Sequence, residues 1–198
     1  MTIFEPPGTF KRVSGTTRMR PGKQGERFAM RLIILGLATL LLAACATTPG
    51  PQMISRIGPA ESPLATSVSV PPGAELVYVS GSVPDPVDPA APAGSIGRFG
   101  DTETQTRSVL NKLDAALAQR GLSLADVVMM RVFLVAPPGQ QRMDFAGMMR
   151  AYRERFATVQ QPNKPARSTM QVAGLVDPGW LVEIEVTAAR DPRPRTSR

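Results

Sequence analysis

Pro165-Ala166-Arg167-Ser168-Thr169 and, after a short break, Leu181-Val182-Glu183-Ile184-Glu185 form the stretch on which the fold turns. Side chains alternate between the two faces of a strand. A strand over Leu181–Ala188 therefore sends Val182, Ile184, Val186 and Ala188 one way and Glu183, Glu185 and Thr187 the other. One face is apolar and belongs on a core; the other is polar. Arg167 to Ala173 is short and strand-compatible, and Asp177-Pro178-Gly179 before Trp180 supplies the reversal a hairpin needs. That pairing sets Arg167 across from the acidic face, where its planar fork offers a carboxylate two parallel, charge-assisted hydrogen bonds. Two readings stand: an ordinary ion pair on a sheet surface, or a grip for a small carboxylate beside an acid that directs a water.

Upstream, the chain alternates sheet and helix signals. Leu76–Ser80 is strand-like, and the Pro- and Gly-rich stretch Val83–Gly100 reads as a long loop with room for a poorly formed hairpin. Asp101 or Thr102 can cap the next helix, with Thr102 and Gln105 at capping-box spacing. Val109, Leu110, Leu113, Ala116 and Leu117 make its apolar stripe, and Gly121 is placed to end it. Val128–Val135 is almost continuously apolar, which predicts burial on both faces. Phe145, Met148, Met149, Tyr152 and Phe156 recur at helical spacing from roughly Gln141 to Thr158 and read as core rather than as a cofactor box. Strands, helix, strand, helix and two further strands predict an α+β domain, a mixed sheet with two helices on one face.

The N-terminal part reads differently. Residues 1–29 carry scattered basic residues with Pro and Gly and no apolar period, and are expected to be disordered or untranslated, with Met30 as the functional start. Arg31 then precedes an apolar run from Leu32 to Leu42, far shorter than the roughly 20 residues of a spanning helix. Leu42-Ala43-Ala44-Cys45 resembles a bacterial lipobox, so 30–44 is expected to be a lipoprotein signal and Cys45 the acylated first residue of the mature chain. The competing reading is a buried core helix with an inert thiol. Ala46, where an aspartate would resemble an inner-membrane retention signal, favours the outer membrane facing the periplasm. Residues 45–63, rich in Pro, Gly, Ser and Thr, read as a tether, 64–190 as the folded domain and 191–198 as a basic tail. About 150 residues after the signal suffice for one domain with a real core.

Charge and composition exclude more than they assign. The net charge is +7, but residues 1–44 hold seven basic and two acidic residues and 190–198 hold four arginines and one aspartate, leaving −1 for 45–189. A neutral body without a basic, aromatic-lined surface argues against nucleic acid as a partner. There is no histidine, which rules out Ser-His-Asp and Cys-His nucleophiles and histidine-based metal sites, and the single cysteine is taken by the signal. Gly94–Gly100 lacks the strand-to-helix setting and the lysine of a phosphate loop. No cofactor or metal is expected. What remains is a site of arginine, glutamate, backbone groups and hydroxyls.

Four stretches carry a family resemblance: Leu76–Pro84 (LVYVSGSVP), Gln105–Gly121 (QTRSVLNKLDAALAQRG), Ala125–Leu134 (ADVVMMRVFL) and Pro165–Glu185. In order and spacing, the region from about Ser55 to Arg190 resembles the RidA/YjgF (Rid) family, whose members hydrolyse reactive enamines and imines. The resemblance implies a chorismate-mutase-like fold assembled as a homotrimer with sites in the clefts between subunits. It also implies Arg167 as the clamp on a substrate carboxylate and Glu183 as the water-positioning acid, with Ser80, Gly81 and Thr169 contributing to the substrate pocket. Ser80 and Gly81 are equally explained by a β-bulge or strand end, and Thr169 by strand preference. The activity implied is conversion of 2-imino acids to 2-oxo acids and ammonia; the alternative is a non-catalytic trimer binding a small carboxylate. Some relatives are described as RNA-cleaving, which the neutral body disfavours. The chain departs from the archetypal pattern at Ala60, where a tyrosine follows Gly-Pro, at Ser82, where glutamine follows Ser-Gly, and at Met149, where a helical asparagine stands.

Overall fold

The alternating run at the C-terminus becomes an inner strand of a four-stranded sheet rather than one arm of a hairpin. The computed structural model describes residues 53–191; the signal, Cys45 and most of the basic tail lie outside them. The elements are β1 (Ser55–Ile57), β2 (Ser67–Ser69), β3 (Glu75–Ser82), α1 (Ile96–Phe99), α2 (Thr102–Ala118), a 3-10 turn (Leu124–Asp126), β4 (Val127–Val135), α3 (Phe145–Arg153), β5 (Ala166–Val172) and β6 (Val182–Arg190). The main sheet runs β3-β6-β4-β5, with β6 antiparallel to both neighbours and β4 parallel to β5; β1 and β2 form a separate antiparallel pair. This is the expected mixed α+β architecture.

The expected β5–β6 hairpin is corrected. The Asp177 turn exists, with the Trp180 amide donating to Asp177 O at 3.0 Å, but β4 lies between the two strands. A helix between β4 and β5 returns the chain in the same direction, the crossover that parallel strands need. β6 then fills the remaining slot beside β4, so its apolar face of Val182, Ile184, Val186 and Ala188 lies in one cluster with Val109, Leu110, Leu113 and Leu117 of α2 and Met148 and Tyr152 of α3.

β4 is buried on one face only. Met130, Val132 and Leu134 are covered, whereas Met129 and Phe133 are half-buried and Arg131 is exposed. The expectation of two covered faces fails because, among the described residues of one chain, no second layer packs on the side opposite the helices. Nor does the loop after β3 hold a hairpin. It is gathered around Arg98, whose Nη1 donates to Pro89 O and Ala91 O and whose carbonyl accepts from the amides of Val87 and Asp88.

Asp101 is the α2 cap, its side chain accepting from the Thr104 amide at 2.8 Å; that bond holds its carboxyl below the usual range. Gln105 serves a longer connection than a capping box. Fully buried, its amide donates to Gly100 O and Gly179 O, both at 2.9 Å, and accepts from the Leu181 amide at 2.7 Å, anchoring the entry to β6. Replacing Gln105 with methionine strands three backbone groups, and urea denaturation is expected to show a loss of about 3 kcal/mol. Gly121 ends the α2 segment with φ of 65°, a region that glycine enters without strain.

α3 is shorter than its apolar period predicts. Asp144 caps it by accepting from the Gly147 amide at 2.8 Å, and the helix ends at Arg153. Phe156 beyond it stays buried, stacked on Tyr152 with centroids 4.7 Å apart, while Phe145, expected in the core, is 44% exposed. Residues 53–63, the later part of the segment read as a tether, lie among the described residues. Ser55–Ile57 pairs with β2, Lys164 Nζ donates to the carbonyls of Pro59, Ala60 and Ser62, and the Tyr152 hydroxyl donates to Pro63 O at 3.1 Å. A Pro/Gly/Ser composition reads as linker, but these carbonyls have a lysine and a tyrosine to hold them onto the domain.

Candidate functional site

Arg167 lies on the edge strand β5, on the face that carries the helices. Its register partner Met130 is completely buried, and the guanidinium is roofed by α3. Phe145, Met148, Met149 and Tyr152, at positions i, i+3, i+4 and i+7, form one helical stripe over it. The Tyr152 ring centroid is 4.3 Å from Cζ and that of Phe145 5.9 Å, with the sulfurs of Met149 and Met148 at 3.1 and 3.9 Å from its terminal nitrogens. The stripe read as plain core is therefore also an arginine cage. Nothing in its period distinguishes the two roles; the cation beneath comes from a distant strand.

Among the described residues, no carboxylate lies within ion-pair reach of Arg167, and its Nε is buried without a hydrogen-bond partner. Burial pushes the guanidinium pKa down from its ordinary value, yet arginine stays charged at any physiological pH. The same burial raises the Tyr152 hydroxyl. Thr169, two residues along the same face, also has a buried hydroxyl without a partner. A desolvated cation and an orphaned hydroxyl on one strand face offer an anion a charge and a hydrogen bond.

Glu183 stands on the opposite face. β4 fixes this by parity: Met130 pairs with Arg167 and Phe133 with Glu183, and residues three apart on a strand point opposite ways. The arginine that meets the acidic face is Arg131, which forms an ion pair with its register partner Glu185. The ordinary surface ion pair thus exists, with a different arginine from the one expected.

Ser80 and Gly81 sit in a β-bulge, where the pairing of β3 with β6 slips between Val79 and Ser82. The bulge brings Gly81 directly against the acid: a Cβ there would stand 1.9 Å from Glu183 Oε1. The strand irregularity is the bulge of the first reading, and it gives the Glu183 carboxylate its seat. Beside it, a cavity of about 220 Å³ is lined by Tyr78, Ser80, Met129, Arg131, Glu185 and Thr187.

One chain thus brings together Ser80, Gly81 and Glu183 on one sheet face and Arg167 and Thr169 on the other. Among the described residues, no group of His, Cys, Asp and Glu is placed to hold a metal ion, and no helix is long and apolar enough to cross a membrane.

Comparison with known proteins agrees with this architecture. The chain is 34% identical over 116 residues to a RutC family protein of Pyrococcus horikoshii, covering 59% of this chain and 80% of that one. It is 33% identical over 126 residues to the 3-aminoacrylate deaminase RutC of Acinetobacter baylyi, covering 64% and 88%. A Yersinia pestis protein of the conserved Rid family shares the fold at a TM-score of 0.52 and 24% identity, over 69% of this chain and 98% of that one. With the sequence model of the endoribonuclease L-PSP family matching residues 61–190, the chain belongs to that family, the RidA/YjgF proteins.

Proposed function

We propose that this protein hydrolyses 2-imino acids, and their enamine tautomers, to 2-oxo acids and ammonia at a site shared between two copies of the chain. The observation that carries this reading is that Arg167 and Glu183 lie on opposite faces of one sheet and that, among the described residues, Arg167 meets aromatic rings and thioethers but no carboxylate. A second copy is what unites them. The sheet face bearing Glu183 leaves Leu76, Tyr78 and Met170 open to solvent, which supports burial against further copies in a homotrimer.

In that assembly, Arg167 and Thr169 hold the substrate carboxylate, while Glu183 of the adjacent copy, seated on Gly81, orients a water toward the imine carbon. Water adds its oxygen to that carbon, the nitrogen takes up protons, and the carbon–nitrogen bond breaks to release ammonia and leave the 2-oxo acid. Protonated imines are already electrophilic, so positioning does most of what is needed. The 3-aminoacrylate deaminase relative supports this chemistry; the neutral charge of residues 45–189 stands against RNA cleavage.

The test is ammonia release from enzymatically generated 2-aminoacrylate. Glu183→Gln and Arg167→Ala are each expected to be inactive, whereas their co-expressed mixture regains roughly a quarter of wild-type activity, because random trimers rebuild that share of the shared sites. No recovery on mixing, with trimers intact, overturns the shared site. If the wild type binds carboxylates, loses that binding in Arg167→Ala and turns nothing over, the protein is a non-catalytic binder, the second reading, favoured by a thioether at Met149 in the position of an amide.

The protein is further proposed to act as an outer-membrane lipoprotein facing the periplasm, anchored through Cys45. Cys45→Ser is expected to move it from the membrane to the soluble fraction on cell fractionation; unchanged membrane association rejects the anchor.

A further inference from the structure

We infer that Met149 is a displaceable plug on the carboxylate clamp: its sulfur covers the binding edge of Arg167 and is pushed aside when a carboxylate docks. This rests on the reading of Arg167 as that clamp.

A guanidinium offers a carboxylate two parallel N–H bonds along either of two edges. One edge is formed by Nε with a terminal nitrogen, the other by the two terminal nitrogens. In Arg167 the first edge is shut, because Nε is buried. Along the second lie two sulfurs, Met149 Sδ at 3.1 Å from Nη2 and Met148 Sδ at 3.9 Å from Nη1. One face of the group is taken as well, with the Tyr152 ring centroid 4.3 Å from Cζ. A two-bond grip on a carboxylate therefore requires the nearer sulfur to leave.

Of the two methionines, Met149 is the one able to do so. Met148 is completely buried in the core cluster, whereas Met149 keeps a little exposed surface and lies one turn from Phe145, which is 44% exposed. Its side chain is unbranched and turns about three bonds. The chemistry of the contact favours exchange. A thioether is a weak acceptor, so it covers the cation without tying it down. A carboxylate oxygen makes a charge-assisted bond, roughly twice as strong as a neutral one, and takes its place.

Such a plug lowers the apparent affinity by the fraction of molecules in which it stands aside. Calorimetry with pyruvate on the assembled protein reads that fraction. Met149→Ala is expected to bind pyruvate about tenfold more tightly than wild type, the gain from permanently opening a site that is covered in roughly nine molecules of ten. A crystal structure of wild type with pyruvate is expected to show carboxylate oxygens on Nη1 and Nη2 of Arg167 and the Met149 sulfur no longer touching Nη2. The second measurement needs no substitution, so poor folding of Met149→Ala does not stop the test.

Equal or weaker binding by a folded Met149→Ala overturns the plug, as does a carboxylate seated on Arg167 with the sulfur still in place; both leave the clamp standing when binding is lost in Arg167→Met. Pyruvate that binds Arg167→Met as well as wild type overturns the clamp and the plug together. So does a failure of both wild type and Met149→Ala to bind it.

Discussion

Arg167→Met is expected to abolish turnover while leaving the fold as stable as before or more so. The guanidinium lies under two aromatic rings and two thioethers, has a buried nitrogen without a partner, and is opposed by no carboxylate among the described residues. Taking such a cation from water costs more than ring and sulfur contacts return, and well-packed apolar replacements of buried charges are often neutral or stabilising. Methionine fills a similar space among methionines. Thermal unfolding is expected to rise by about 3 °C, corresponding to roughly 1 kcal/mol, while kcat/KM falls about 1,000-fold or more. A fall in unfolding temperature would make Arg167 a structural residue. Arg167→Lys distinguishes charge from geometry: a point charge without the fork is expected to restore little of the lost activity.

Gly81→Ala is the second large effect, and it reaches Glu183 without altering it. The added methyl would occupy the place of the Glu183 carboxylate, 1.9 Å from Oε1 and 2.9 Å from the carboxyl carbon. Those atoms are the end of a flexible side chain, so the carboxylate swings away and the strands stay paired. Activity is expected to fall about 100-fold, since displacing a positioning group by an ångström suffices for that, with little change in stability. Steady-state kinetics should show the loss in kcat, because substrate binding is assigned to the Arg167 face. A loss confined to KM would move Glu183 from water positioning to substrate binding.

Much of the fold could be read from local patterns. The apolar set on β6, the stripe on α2, the Asp101 cap and the Gly121 stop each follow from neighbours within a few residues, and all appear in the structure. The β-bulge read as one account of Ser80 and Gly81 is present, and it sets Gly81 against Glu183. Readings failed where the answer depended on residues far away. Continuous apolarity in β4 gave no hint that Met129 and Phe133 would face an open side in a single chain. Phe145 has the spacing of a core residue and lies at the start of the helix, where the roof over Arg167 ends and solvent begins.

The sequence by itself determined which residues alternate, which helices are capped and which arginine and glutamate carry the family's motif, because each of these is a property of a short segment. Only the tertiary structure decided that β4 separates β5 from β6, and therefore that Arg167 and Glu183 face away from each other. Strand order and register are set by how the helices cover the whole apolar face of the sheet, and a shift of a single residue exchanges one side for the other.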